Sequence, residues 1–313
     1  MFCYHARMYK KLICAAFMLA TVVPAWAAEW MTDLEAAKAK AAAENKVVLV
    51  DFTGSDWCGW CIRLRKAVLD TPEFEAYAKD KFVLMEVDLP QNPKFDPALR
   101  ARNEKIAEQY GVSGFPTIMV LTPQGELAGG FNGYVSSVAA ASEKLNAALA
   151  TAELLRKAES QQGAEKLDSL LKAYRSLPES MQDCALSLRK SIIALDPQDT
   201  TGLARLQKIE DQRAAFQSAL GSVTTQAEAL AVLDKALADA YPENKAGILQ
   251  AKFQILLMGA QSVDDVKAAV EAGRAALDLD PRITPADRQK FDASFADPEA
   301  VFKRIQKLRA QKK

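Results

Sequence analysis

The stretch VVLVDFTGSDWCGWC, residues 47–61, joins a buried strand to a closely spaced pair of cysteines. Residues 47–52 are almost wholly apolar and rich in β-branched side chains, which is typical of a central strand buried on both faces. Cys58 and Cys61 follow at the predicted start of a helix, where residues three apart share one face with Cβ atoms about 5–6 Å apart. A disulfide needs Cα atoms within about 7 Å, so this spacing predicts that the two thiols can close without a large backbone movement.

The position of Cys58 at a helix N-terminus favours its thiolate form. Unpaired backbone N–H groups and the helix dipole stabilise negative charge there. A cysteine in a Cys-x-x-Cys motif can have its pKa lowered from about 8.5 by one to several units. Asp56 adds a negative charge close by and opposes this effect. We therefore expect Cys58 to be the attacking thiol.

The N-terminal residues are typical of an export signal. A positively charged segment at 7–11 precedes the apolar run 12–23, and the sequence AWA at 25–27 fits a small-x-small cleavage site. The apolar run is shorter than the roughly 20 residues that a bilayer span needs. We therefore predict a signal peptide over residues 1–27, a periplasmic or secreted protein, and no membrane span after cleavage. An uncleaved anchor is the alternative.

Cleavage would leave few residues suited to metal binding or to base catalysis by imidazole. The chain has one histidine, His5, and two of its five cysteines, Cys3 and Cys14, also lie in the predicted signal. Zinc sites usually draw four ligands from Cys and His, so we expect no metal at the cysteine pair. Because no histidine would remain after cleavage, catalytic systems in which a histidine base activates a nucleophile are also excluded. Forty Lys and Arg residues balance forty Asp and Glu residues, so the charge does not favour a nucleic-acid partner.

The order of predicted elements indicates a mixed sheet with helices on both faces. Four strands are predicted, at residues 47–52, 82–88, 117–121 and 126–131. Helices are predicted at residues 30–44, 58–70, 73–79 and 98–110, and from about residue 136. Thr32 and Glu35 fit a capping box at the start of the first helix.

From about residue 151 onward the pattern changes to roughly eight or nine helices, and no strand-like run occurs. Prolines that follow helix ends, among them Pro197, Pro242 and Pro281, lie about 40 residues apart, near the period of helical-hairpin repeats. This part loosely resembles tetratricopeptide-like arrays, and a non-repetitive helical bundle is the alternative. We predict an α/β domain over 28–150 and an all-α domain over 151–313.

Two stretches of the first domain resemble thioredoxin. One is residues 47–61, and the other is VSGFPT at 112–117, which a predicted strand follows. The resemblance covers about residues 30–150 and points to exported thioredoxin-like proteins that carry GSDWCGWC. It implies a thioredoxin-like fold, a redox-active cysteine pair, and a cis peptide bond before Pro116 beside the substrate groove.

Some features depart from the thioredoxin pattern. Trp60 occupies the position where thioredoxin has proline, and the spacing from Asp51 to Cys58 is one residue longer. The lysine that thioredoxin places on its second central strand is missing from residues 82–88. Because the residues between the cysteines influence the reduction potential, the direction of electron flow stays open.

Asp51 and several aromatic residues complete the candidate site. A carboxylate within a strand buried on both faces is desolvated, which raises its pKa. The matching acid of thioredoxin exchanges protons with the second cysteine, and a water-facing aspartate is the alternative. The candidate substrate-binding residues are Trp60, Phe115 and Pro116. We expect Trp57 to pack at the rim, and Cys184 to be a buried, unpaired thiol on a predicted amphipathic helix.

The sequence therefore predicts an exported thiol–disulfide oxidoreductase that acts on protein thiols and disulfides, as a reductase or an isomerase. Cys58 would attack a substrate disulfide, and Cys61 would resolve the mixed disulfide. No organic cofactor is implied, and the redox partner is unknown. We expect the all-α domain to recruit a protein partner or to form a dimer. The alternative is a thioredoxin-like binding module whose cysteines form only a structural disulfide.

Overall fold

The computed structural model describes residues 29–92 and 94–311, so the predicted signal peptide lies outside the described residues. Within this part of the chain, no helix is both long enough and apolar enough to cross a membrane. The chain divides into two compact units between Leu195 and Asp196. Each unit is described by itself below.

The first unit is built on a four-stranded mixed sheet, as the sequence predicted. Its strands are β1 (Val47–Thr53), β2 (Phe82–Asp88), β3 (Thr117–Leu121) and β4 (Leu127–Asn132). The order across the sheet is β2-β1-β3-β4. β1 is parallel to β2 and antiparallel to β3, and β3 is antiparallel to β4. With a strand on each side, β1 is buried from its second residue to its last.

Helices surround this sheet in the predicted order. They are α1 (Leu34–Glu44), α2 (Gly59–Leu64), α3 (Pro72–Ala78), α4 (Pro97–Gln109) and α5 (Val138–Glu159). A π-helical turn, Arg65–Leu69, continues α2. The predicted capping box is wrong, because Asp33 caps α1 and its carboxylate accepts a hydrogen bond from the N–H of Ala36 at 2.9 Å. Asp33 lies one residue closer to the helix than Thr32, so its side chain reaches the third N–H of the first turn.

α5 packs against both β4 and the helix that follows it in the chain. Gly129 of β4 permits a close approach, since a Cβ there would lie 3.0 Å from the Cβ of Ala148. The remaining helices of this unit are α6 (Gly163–Ser176), α7 (Glu179–Gln182) and α8 (Leu186–Leu195). The division predicted near residue 150 therefore falls inside α5, and independent domains over 28–150 and 151–313 stay a prediction.

The second unit contains only helices among its described residues, 196–311. They are α9 (Leu203–Gly221), α10 (Gln226–Ala238), α11 (Pro242–Gly259), α12 (Val263–Leu279), α13 (Pro285–Ser294) and α14 (Pro298–Ala310). Phe253, Phe291 and Phe295 pack together, with ring centroids 4.8–5.5 Å apart. The change to helix-only structure is confirmed, whereas a tetratricopeptide-like repeat stays a prediction.

Candidate functional site

Cys58 and Cys61 form a disulfide at the start of α2, with their Cα atoms 5.3 Å apart. Cys58 is the N-cap residue of the helix, and the backbone N–H of Cys61 donates a hydrogen bond to Cys58 Sγ at 3.2 Å. Cys58 is 7% exposed and Cys61 is 1% exposed. Cys58 is therefore the more accessible residue of the pair, and it lies where a helix N-terminus favours negative charge.

The loop before the cysteines is anchored to the end of β2 and the segment that follows. Ser55 donates its backbone N–H and its hydroxyl to the carboxylate of Asp88, at 2.9 and 2.6 Å. The carboxylate of Asp56 accepts hydrogen bonds from the N–H groups of Gln91 and Asn92, at 2.9 and 2.8 Å. Asp56, considered from sequence only as a nearby charge, thus holds the loop that presents the disulfide.

Trp57 and Trp60 flank the disulfide in different environments. The indole Nε1 of Trp57 donates a hydrogen bond to the carbonyl of Leu89 at 2.8 Å, and its ring packs edge-on against Phe115. Trp60 is 54% exposed, and its ring centroid lies 5.6 Å from that of Tyr134. Trp57 is therefore anchored by its indole, whereas Trp60 is the more exposed of the two rings beside the disulfide.

A second loop, at the start of β3, borders the disulfide loop through the contact between Phe115 and Trp57. The peptide bond between Phe115 and Pro116 is cis, as the resemblance to thioredoxin implied. The hydroxyl of Thr117 donates a hydrogen bond to the carbonyl of Gly114 at 2.8 Å and so braces the loop.

Cys184 lies beside this same loop. Its Sγ is 3.7 Å from the carbonyl oxygen of Gly111, and residues 111–117 line a cavity of about 240 Å³ together with Cys184. Burial, and then the charge of Asp183, raise the pKa of this thiol. The predicted helical position is wrong, since Cys184 occupies a turn between α7 and α8 and is only half-buried. Local sequence patterns could not predict this proximity, because 73 positions separate Cys184 from Gly111 and no motif links them.

Asp51 is buried in the middle of the sheet. It is 1% exposed, and neither carboxylate oxygen accepts a hydrogen bond from the described residues. Its neighbours across the sheet are Glu86 on β2 and Ile118 on β3. Burial raises the pKa of Asp51 to about 7, although the positive charge of Arg65 opposes the rise. A water-facing aspartate, the alternative considered from sequence, is therefore wrong.

Arg65 supplies the positive charge next to Asp51, and sequence reasoning missed it. Its Nη1 lies 3.6 Å from Asp51 Oδ2 and also donates a hydrogen bond to Glu86. Its Nε lies 3.3 Å from Asp70 Oδ1, and its guanidinium stacks over the ring of Trp30 at 4.7 Å. β2 has no lysine that could place a positive charge near Asp51, and Arg65 in the π-helical turn supplies a positive charge there instead.

A signal for Arg65 does exist in the sequence. It lies four residues after Cys61, and residues four apart occupy the same face of a helix. The sequence also offered a signal for Glu86, because this residue lies on β2, the strand that lacks the lysine expected from thioredoxin. The described residues contain no cluster of His, Cys, Asp and Glu side chains arranged to hold a metal ion.

Comparison with known proteins agrees with this geometry. Residues 34–149 match the model of a family described as a thioredoxin-like domain. These residues belong to the thioredoxin-like family. The thioredoxin-like domain therefore includes the disulfide, Asp51 and the loop with the cis peptide bond.

Two relatives come from Chlamydia pneumoniae. The disulfide bond reductase DsbH is 36% identical over 105 residues, which are 31% of this chain and 63% of that protein. The thioredoxin-related protein DsbJ is 33% identical over 94 residues, 30% of this chain and 27% of that protein. The chain thus covers less than two thirds of the length of either relative. A solved structure of a DsbH oxidoreductase is 30% identical and covers 39% of this chain and 84% of its own, with a TM-score of 0.37.

Proposed function

We propose that this protein is an exported thiol–disulfide oxidoreductase in which Cys58 and Cys61 alternate between dithiol and disulfide. The observation that carries the proposal is the disulfide at the start of α2, with Cys58 as the N-cap residue and more accessible than Cys61. A structural disulfide has no need of a helix N-terminus that stabilises one of its thiolates, whereas an attacking thiol does.

The proposed reaction transfers two electrons from the protein dithiol to a substrate disulfide. The Cys58 thiolate attacks one substrate sulfur, forms a mixed disulfide and releases the other sulfur as a thiolate, which takes up a proton. Cys61 then passes its proton to Asp51, directly or through a water, and its thiolate attacks Cys58 Sγ. This attack breaks the mixed disulfide, leaves the Cys58–Cys61 disulfide and expels the second substrate sulfur as a thiolate, which takes up a proton from Asp51 or from water.

Asp51 is suited to accept the proton because its pKa is raised to about 7. A general base is most effective when its pKa lies near the operating pH, so a carboxylate of ordinary pKa would be a weaker acceptor. Asp51 also makes no hydrogen bond to the described residues that would have to break first.

We propose a polypeptide substrate held between Trp60 and the loop with Phe115 and Pro116. The exposed ring of Trp60, next to Tyr134, supports this assignment, because aromatic rings at a rim give large contact areas with peptide side chains. The similarity to DsbH, a disulfide bond reductase, supports the reductive direction. A redox partner must then return electrons to the Cys58–Cys61 disulfide, and we assign recruitment of a protein partner, or dimerisation, to the all-α part.

Reduction of insulin by the full chain with a thiol donor tests this function, together with the equilibrium reduction potential against glutathione. We expect catalysed insulin reduction and reversible exchange of the cysteine pair in mild redox buffers. Mass spectrometry after thiol labelling that shows no exchange would instead indicate a binding module with a structural disulfide. Catalysis of disulfide shuffling without net reduction would indicate an isomerase.

A further inference from the structure

One guanidinium serves three carboxylates in the ionic cluster around Arg65. Glu86 accepts a hydrogen bond from Nη1, and Asp70 accepts one from Nε at 3.3 Å. Asp51 lies 3.6 Å from the same Nη1 and accepts no hydrogen bond from it. The side chain of Asp51 is 1% exposed, against 24% for Glu86 and 54% for Asp70. The carboxylate with the least access to water therefore receives the weakest contact.

Strand register explains why Asp51 and Glu86 compete for one nitrogen. In the parallel pairing of β1 with β2, Asp51 lies directly beside Glu86, and Nη1 of Arg65 reaches both. The contact of Nε with Asp70 and the stacking on Trp30 fix the rest of the guanidinium. Glu86 thus accepts the hydrogen bond from Nη1 of Arg65, which would otherwise be free to donate to Asp51.

We propose that Glu86 is a positioning residue, which holds Arg65 away from a direct hydrogen bond to Asp51 and so keeps Asp51 a good proton acceptor for Cys61. The inference rests on the proposed function, since only resolution of a mixed disulfide requires that proton transfer. Glu86 contacts neither sulfur in this scheme and acts through Arg65 alone and through its own charge.

The charges around Asp51 are consistent with this assignment. Burial is the main cause of its raised pKa, Arg65 lowers the pKa, and Glu86, Asp70 and Asp88 raise it. Removing the charge of Glu86 would lower the pKa of Asp51 in two ways. A repelling charge would be lost, and the guanidinium would be free to bond to Asp51. An arginine next to an aspartate lowers the pKa of that carboxyl by about 1–3 units.

The direct test is a titration of the Asp51 side-chain carboxyl by ¹³C NMR in the oxidised full chain. Glu86→Gln should lower the midpoint by about one unit or more, whereas Arg65→Gln should raise it. Glu86→Asp, which keeps the charge, should restore part of the shift. Asp70→Asn is the matched control: it removes a more exposed acid that binds Nε rather than Nη1, so its effect should be much smaller.

A double-mutant cycle separates the effect through Arg65 from the direct charge effect. Glu86→Gln should shift the Asp51 midpoint less in the Arg65→Gln background than in the parent protein, because no guanidinium remains to be released. If Arg65→Gln does not fold, Arg65→Met replaces it, because methionine also removes the guanidinium and keeps a long unbranched side chain. In that background too, Glu86→Gln should shift the Asp51 midpoint less than in the parent protein. Equal shifts in the parent and in whichever of these two backgrounds folds would overturn the assignment.

The pH profile of mixed-disulfide release gives a second readout and separates this inference from the proposed function. We expect its midpoint to follow the NMR midpoint of Asp51 in every variant. An unchanged NMR midpoint in Glu86→Gln overturns the positioning role, whatever the activity. A shifted NMR midpoint with an unshifted release profile upholds the effect of Glu86 on Asp51 but refutes the part of Asp51 in resolution.

Discussion

Asp51 in β1 and Asp196 at the start of the second unit are both buried, yet they differ in hydrogen bonding. Asp51 accepts no hydrogen bond from the described residues, and burial raises its pKa to about 7. Asp196 accepts hydrogen bonds from the N–H groups of Thr201 and Thr200 and from the hydroxyl of Thr200, at 2.7–3.0 Å. These bonds, led by that from Thr201, lower its pKa to about 2.

The comparison shows that the hydrogen bonds to the charged form, together with the depth of burial, decide what a carboxylate can do. Backbone N–H donors stabilise the charged form of Asp196, which fixes the turn before α9 and is a weak base. Among the described residues, Asp51 has a shared cation, Arg65, and accepts no hydrogen bond, so its charged form is costly and its affinity for a proton is high. The surroundings of Asp196 suit a structural role, and those of Asp51 suit proton transfer.

The largest expected effect concerns the thiols that Asp51 is proposed to serve. Cys58→Ser should abolish turnover, and Cys61→Ser should accumulate mixed disulfides through Cys58, because the resolving thiol is absent. Non-reducing electrophoresis and mass spectrometry of trapped partners check this. Better trapping by Cys58→Ser would reverse the assigned roles and would remove the reason for a base that serves Cys61.

Asp51 and Asp196 should change the free energy of unfolding in different pH ranges and in opposite directions. The folded-state pKa of Asp51 is raised from 3.8 to about 7, so its contribution to the free energy of unfolding falls as pH rises through this range. The fall is up to about 4 kcal/mol, at 1.36 kcal/mol per pKa unit. The folded-state pKa of Asp196 is lowered from 3.8 to about 2, so its stabilisation is lost as pH falls through that interval.

Denaturant unfolding of the oxidised protein at a series of pH values tests this contrast. Asp51→Asn should remove much of the decline in stability between about pH 4 and pH 7. Asp196→Asn is the matched control and should leave that decline in place. An identical slope in the parent and in Asp51→Asn would show that Asp51 is not held as a raised-pKa acid.

A smaller effect is expected on the rate of resolution. Asp51→Asn should leave the first attack by Cys58 largely intact and slow the release of the mixed disulfide tenfold or more, near the low end of what a positioned base contributes. Rapid-quench measurement of the mixed-disulfide lifetime checks this, with Asp196→Asn as the unaffected control. Equal lifetimes at neutral pH would make Asp51 a structural residue like Asp196.

The smallest effect should come from removing the unit that contains Asp196. A fragment of residues 28–195 should fold and reduce a small disulfide as the full chain does, because the proposed site lies wholly within it.

A fragment ending at residue 150 keeps the sheet but cuts α5 and loses the buried Leu155. We expect it to be active and to melt several degrees lower, since burial of a leucine contributes about 1.5–3 kcal/mol.

Thermal unfolding followed by circular dichroism, with activity measured on the same samples, compares the two fragments. Equal melting temperatures would support the division near residue 150 that the sequence predicted. Loss of activity in the longer fragment would mean that the second unit contributes to the chemistry, and the contrast between the two regions would not hold.

Local pattern determined much of this protein. The apolar run of β1, the helix start at Cys58 and the three-residue spacing to Cys61 depend on neighbouring residues, and each was predicted at its observed place. The loop with Phe115 and Pro116 was found from its motif. The cap of α1 was missed by one residue, because Thr32 and Asp33 are both good caps and only the entry angle of the chain chooses between them.

Tertiary structure decided which distant side chains meet. Arg65 and Glu86 became the partners of Asp51 only through the register of β1 with β2 and the docking of the π-helical turn. Cys184 came to lie next to Gly111 in the same way. Periodicity specifies which face of an element is buried, but not which residue of another element lies against it. The cysteine pair could therefore be found from the sequence, whereas the contacts that bring Arg65 and Glu86 to Asp51 became visible only in the folded chain.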